Sequence, residues 1–78
     1  MIFDTSEYVE SLTPREEEVL DLLAQEGLSN KELAARLVVV EGTIWTHLKN
    51  IYRKLNLESR GAAIVWAHQH RIQQQIDT

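Results

Sequence analysis

Cysteine is absent from the chain. Without a thiol there is no disulfide framework and no thiolate metal site, and the composition suits a reducing, intracellular compartment. Long apolar runs are missing as well: nothing approaches the about 18 consecutive apolar residues that a membrane span needs. The opening MIFDTSEYVES lacks the basic start and apolar core of a signal peptide. With 3 glycines and 1 proline in 78 residues, there is no glycine-rich loop, no low-complexity run and no internal repeat. A single cytoplasmic domain without membrane association is expected. At this size one hydrophobic core supplies modest stability, so pairing with a second copy is an option from the outset.

Positive charge is scarce overall, with a net of −4, but it is not evenly scarce. Residues 1–30 set Arg15 against Asp4, Glu7, Glu10, Glu16, Glu17, Glu18, Asp21 and Glu26, a balance of −7. Residues 31–60 set Lys31, Arg36, Lys49, Arg53, Lys54 and Arg60 against Glu32, Glu41 and Glu58, a balance of +3. Such a separation orients a protein toward a polyanion even where its total charge is repelled by one.

The chain then reads as helices. Thr13-Pro14-Arg15-Glu16 combines an N-cap, a proline at the first helical position and the glutamate of a capping box. Glu17 and Glu18 complement the helix dipole, Val19, Leu20, Leu22, Leu23 and Ala24 supply an apolar face, and Gly27 stops the helix. Ser29-Asn30-Lys31-Glu32 repeats the capping box ahead of Leu33, Ala34 and Leu37. Val38, Val39 and Val40 break helix propensity and Glu41-Gly42 follows, which predicts a tight connection there.

A third helix is predicted from about Glu41 to Leu55. Ile44, Leu48, Ile51 and Leu55 fall in one stripe along it, and Asn56 suits the left-handed conformation that closes it. The opposite face carries Gly42, Thr46, Lys49 and Arg53, with Trp45 and Asn50 on its flanks. Ser59 caps a fourth helix with an inward face of Ala63, Ile64 and Ala67. A second apolar face, Ala62, Val65 and Trp66 continued by Gln69, Ile72 and Ile76, marks a subunit contact. Residues 1–11 read as a linker or arm and 12–76 as the domain.

Catalytic chemistry has no foothold. No nucleophile, base and orienting group stand at a recognisable spacing, and a helix N-terminus accounts for Glu16, Glu17 and Glu18. His47 flanks the apolar stripe as a structural histidine. His68 and His70 diverge on a helix, a poor geometry for one metal, and are expected at the surface. No enzyme, metal or cofactor is expected.

A helix, a short turn and a second helix with a polar outer face form the helix-turn-helix arrangement. The run LTPREEEVLDLLAQEGLSNKELAARL followed by TIWTHLKNIYRKLNLESRGAAI resembles the LuxR-type DNA-binding domain of bacterial transcription regulators, from Leu12 to about Ile72. Thr43-Ile44-x-Thr46-His47 and Asn50-Ile51-Tyr52-x-Lys54-Leu55 are most similar to the large ATP-binding branch related to the maltose regulator. The resemblance implies an all-α four-helix bundle without a wing, whose third helix reads DNA and whose fourth pairs two subunits.

Carried over by position, Trp45, Thr46 and Lys49 face bases, while Lys31, Asn50, Arg53 and Lys54 meet phosphates. The implied partners are double-stranded DNA, a second copy bound through Ala62, Val65, Trp66 and Gln69, and RNA polymerase. Two positions depart from the family pattern. Val40 stands where a serine cap is usual, and Trp45 stands where lysine is usual. An indole packs on a thymine methyl or a sugar but cannot make the bidentate guanine contact, or Trp45 folds over toward Tyr52 instead. Alternatives to DNA readout as a regulator's output module are a helix-turn-helix turned protein-interaction module and a sigma-factor-like promoter-recognition region.

Overall fold

The computed structural model describes residues 11–72, and side chains as far as His70. Apart from Ser11, the arm read over 1–11 lies outside the described residues, as do Ile76, Gln75 and the side chain of Ile72. Four α-helices follow in order, Pro14–Glu26 (α1), Asn30–Leu37 (α2), Glu41–Lys54 (α3) and Arg60–Ala67 (α4), and a π-helical turn, His68–Ile72, continues α4. Among the described residues there is no strand. The fold is all-α, with α2 and α3 as the helix-turn-helix pair.

The helix starts are where the capping chemistry places them. Thr13 Oγ1 accepts from Glu16 N–H at 3.1 Å while Glu16 Oε1 accepts from Thr13 N–H at 2.9 Å, a closed capping box with Pro14 just inside it. Ser29 and Glu32 repeat the exchange at 3.1 and 2.8 Å. Ser59 Oγ accepts from Ala62 N–H at 3.1 Å. Only α3, of these helices, begins without a side-chain cap, because Val40 has no oxygen to offer.

All three connections share one device. Within two residues of the helix end one residue turns left-handed, and the next, an apolar one, packs back on the core: Gly27 then Leu28, Val38 then Val39, Asn56 then Leu57. After α2 and α3 the device is a full Schellman motif. Val39 N–H donates to Ala34 O at 2.9 Å and Leu57 N–H to Tyr52 O at 2.7 Å. Asn56 and Gly27 tolerate positive φ readily. Val38 does not, yet it stands at φ 58 with its side chain 87% exposed. The tight connection expected around the three valines is there, with α3 starting at Glu41 as expected, and within it a valine bears the left-handed strain.

The core joins Val19, Leu20, Leu23 and Ala24 of α1 to Leu33 and Ala34 of α2, the Ile44, Leu48, Ile51, Leu55 stripe, and Ala63 and Ala67 of α4. Leu22, Leu37 and Ile64 sit at its margin, half-buried. α1 is the hub, packing against α2, α3, α4 and the π-helical turn. Polar ties fix the ends: Arg60 donates to Asn30 Oδ1 at 2.7 Å and to the Leu28 carbonyl, joining the start of α4 to the α1–α2 connection.

Left-handed β-branched backbone costs roughly 1–3 kcal/mol, and a missing N-cap costs about 1 kcal/mol. Val38→Gly and Val40→Ser, each made singly, therefore raise stability by about 1 kcal/mol, an increase in Tm of about 4–8 °C for a domain of this size. Thermal unfolding followed by circular dichroism checks both; a lower Tm for Val38→Gly would contradict the strain.

Candidate nucleic-acid interface

A helix that buries Ile44, Leu48, Ile51 and Leu55 turns the residues about half a revolution away toward solvent. Those are Gly42, Thr46, Lys49 and Arg53, and all four are exposed. Thr46 Oγ1 donates to Gly42 O at 3.0 Å, so its hydroxyl is held on the helix's own backbone. Asn50 and His47 are half-buried on one flank. On the other flank Trp45 is 53% exposed, while Tyr52 packs against the core. Burial pushes the Tyr52 hydroxyl above its ordinary value, an effect that the nearby Arg60 charge opposes.

The cations of residues 31–60 separate into two groups. Lys31, in the first turn of α2, is exposed, as are Lys49 and Arg53. Arg36 forms a two-pronged pair with Glu26, at 2.9 and 3.1 Å, and Arg60 holds the α1–α2 connection. Lys54 requires a correction. Expected at a phosphate, its ammonium lies 2.8 Å from Glu16 Oε1, with the two side chains only 14% and 4% exposed. Lys54 ties the end of α3 to the start of α1, and the flank position that helical periodicity gives it is what directs it there.

On α4, Ala62 and Trp66 are half-buried, and Val65 and Gln69 are exposed, Val65 at 55%. Trp66 is less open than its place on a second apolar face suggested, because its ring packs against the core edge. His70 stacks on that ring, with centroids 4.4 Å apart and planes 14° from parallel, and its Nδ1 lies 3.0 Å from Trp66 O. His68 Nε2 lies 3.0 Å from Ala24 O. Both histidines are exposed, as expected, and each also makes a contact at the π-helical turn. Among the described residues no cluster of metal-binding side chains occurs, and no helix is long and apolar enough to cross a membrane.

This geometry, a turn-linked pair whose second helix shows a basic outer face, coincides with a sequence match. The family described as bacterial regulatory proteins of the luxR family matches residues 10–67. The chain belongs to that family.

It is similar to the nitrate/nitrite response regulator protein NarL of Escherichia coli (strain K12), 48% identical over 68 residues that make 87% of this chain and 31% of the relative. To the transcriptional regulatory protein LiaR of Bacillus subtilis (strain 168) it is 44% identical over 63 residues, 81% of this chain and 29% of the relative. Among solved structures, the response regulator ChrA of a heme-sensing two-component system shares 48% identity at a TM-score of 0.73, covering 81% of this chain and 31% of that one. The chain thus spans under a third of the length of these relatives.

LuxR-type domains bind double-stranded DNA in transcription regulation and are not enzymes. Within that family NarL and ChrA are response regulators, so they lend no support to the finer likeness to an ATP-binding branch. The luxR-family match also takes precedence over the sigma-factor alternative.

The Glu16–Lys54 pair is what the sequence reading missed. Its members are 38 positions apart, and the capping box alone accounted for Glu16. Burial raises the Glu16 carboxyl, but the Lys54 ammonium and the Thr13 amide outweigh it and hold the group below the ordinary 4.5. A depressed carboxylate contributes stability that is complete above its ordinary value and is lost as pH falls through the lowered one. Glu16→Gln should cost about 2 kcal/mol at neutral pH. Its urea-unfolding stability should also fall less steeply than that of the wild type once pH drops below 4.5; parallel acid limbs would contradict the assignment.

Proposed function

We propose that residues 12–76 are the DNA-reading output domain of a cytoplasmic bacterial transcription regulator, with α3 lying in the major groove. Trp45, Thr46 and Lys49 face base edges, and Lys31, Asn50 and Arg53 meet phosphates. Two copies pair through Ala62, Val65, Trp66 and Gln69 of the α4 segment, on half-sites roughly one helical turn apart. RNA polymerase is the further partner that promoter-bound copies act on.

The observation that carries this reading is the exposure of Thr46, Lys49 and Arg53 directly opposite the buried stripe of α3. Had the chain's own atoms covered that face, no duplex could reach it. The exposed Val65 beside the half-buried Trp66 supports the pairing surface. Phosphate contacts then supply most of the affinity, and groove contacts supply discrimination.

A protein-interaction module is the second reading, favoured by the net charge of −4 and by a tryptophan 53% exposed beside the basic face. Gel shifts on mixed duplexes separate the two. DNA reading requires at least weak, salt-sensitive binding, and protein interaction alone requires none.

Lys49→Ala should lower affinity for a selected site by about tenfold or more while changing random DNA far less. Lys31→Ala should weaken both alike and flatten the log–log salt slope by about 1. Titrating both variants against both duplexes at several salt concentrations checks this; equal losses for Lys49→Ala would place it outside the groove.

A further inference from the structure

The outer face of α3 is chemically divided along its length. Toward the C-terminal end it offers Lys49 and Arg53. Toward the N-terminal end, where a helix-turn-helix meets base edges, it offers no cation and few donors. Gly42 presents no side chain, and a Cβ built there meets nothing within 4 Å, so this part of the face is open. Thr46 is exposed and carries a γ-methyl, and its hydroxyl proton is already donated to Gly42 O at 3.0 Å. Trp45 stands 53% exposed, an apolar plate with one N–H donor.

With no cation and no forked donor, this half of the face cannot make the bidentate contact to guanine O6 and N7. Its apolar groups match the single feature of the major groove that is itself apolar, the 5-methyl group of a pyrimidine. We infer that the N-terminal half of α3 selects its site through Trp45 and Thr46 as a reader of pyrimidine 5-methyl groups, thymine in ordinary DNA. The inference rests on the groove-facing placement proposed above. It also assigns a division of labour: Lys49 handles base acceptors further along the helix, while Trp45 and Thr46 respond to the presence of a methyl.

Uracil scanning isolates that methyl, because replacing thymine by uracil removes it and leaves every hydrogen-bonding group of the base in place. A duplex enriched from random sequence by the full chain is synthesised with each thymine replaced in turn, and affinity is measured by fluorescence anisotropy. One or two positions in each half-site should lose about fourfold in affinity, the worth of one buried carbon group. Trp45→Lys should abolish the loss at one of them and shift preference there toward guanine.

Thr46→Ser keeps the hydroxyl bond to Gly42 O and removes only the methyl, so it should abolish the loss at a neighbouring position with the fold unchanged. Retained specific binding with no uracil-sensitive position, or an enriched site without thymine, overturns the inference and leaves the groove placement standing. So does an identical uracil response in both variants. Absence of any salt-sensitive DNA binding overturns the placement itself.

Discussion

The burial of four residues on α3 decides what this molecule can present to anything else. Ile44, Leu48, Ile51 and Leu55 are at most 5% exposed, and their spacing leaves the helix no other rotation about its axis that keeps them dry. Moving an isoleucine or leucine from core to water costs about 1.5–3 kcal/mol each, so rotating the helix by even one residue is opposed by several kcal/mol. The outward direction of Thr46, Lys49 and Arg53 is thus a consequence of packing. α1 supplies the bed for this arrangement, and its own capping box carries the carboxylate that grips the far end of α3 through Lys54.

The acidic excess of the chain becomes intelligible once its carboxylates are followed to their partners. Glu16 closes a cap and neutralises Lys54, Glu32 closes a second cap, Glu26 holds Arg36, and Glu18 lies 3.4 Å from Arg15. Two of these pairs, Glu16–Lys54 and Glu26–Arg36, join separate helices; the other two act within their own. Lys31, Lys49 and Arg53 are exposed, and the local potential there matters to a polyanion more than the net charge does.

Local rules were legible in the sequence, and distant pairings were not. Capping boxes, the glycine stop at Gly27, the left-handed Asn56 and the α3 stripe each depend on residues within about one to three turns of one another, so pattern alone exposes them. The missing cap at Val40 was legible for the same reason. The Arg60 clamp on Asn30 and Leu28 spans 30 and 32 positions, and the His68 contact with Ala24 spans 44; those partners meet only after the helices have docked. Val38 escaped notice differently. Its left-handed backbone is imposed by the Schellman bonds that close α2, against the preference of a β-branched residue, so local propensity gave no sign of it. How far Trp66 closes the core edge was likewise not legible, since its half-burial depends on how α4 packs against α1.

The most direct measurement is a titration of the isotope-labelled chain with a selected DNA duplex, followed by NMR. A free outer face of α3 predicts that the largest shifts fall on the backbone amides of Gly42, Thr46, Lys49 and Arg53 and on the Trp45 indole N–H, with the buried stripe far less affected. Shifts concentrated on α1, with those α3 signals unmoved, would contradict the account.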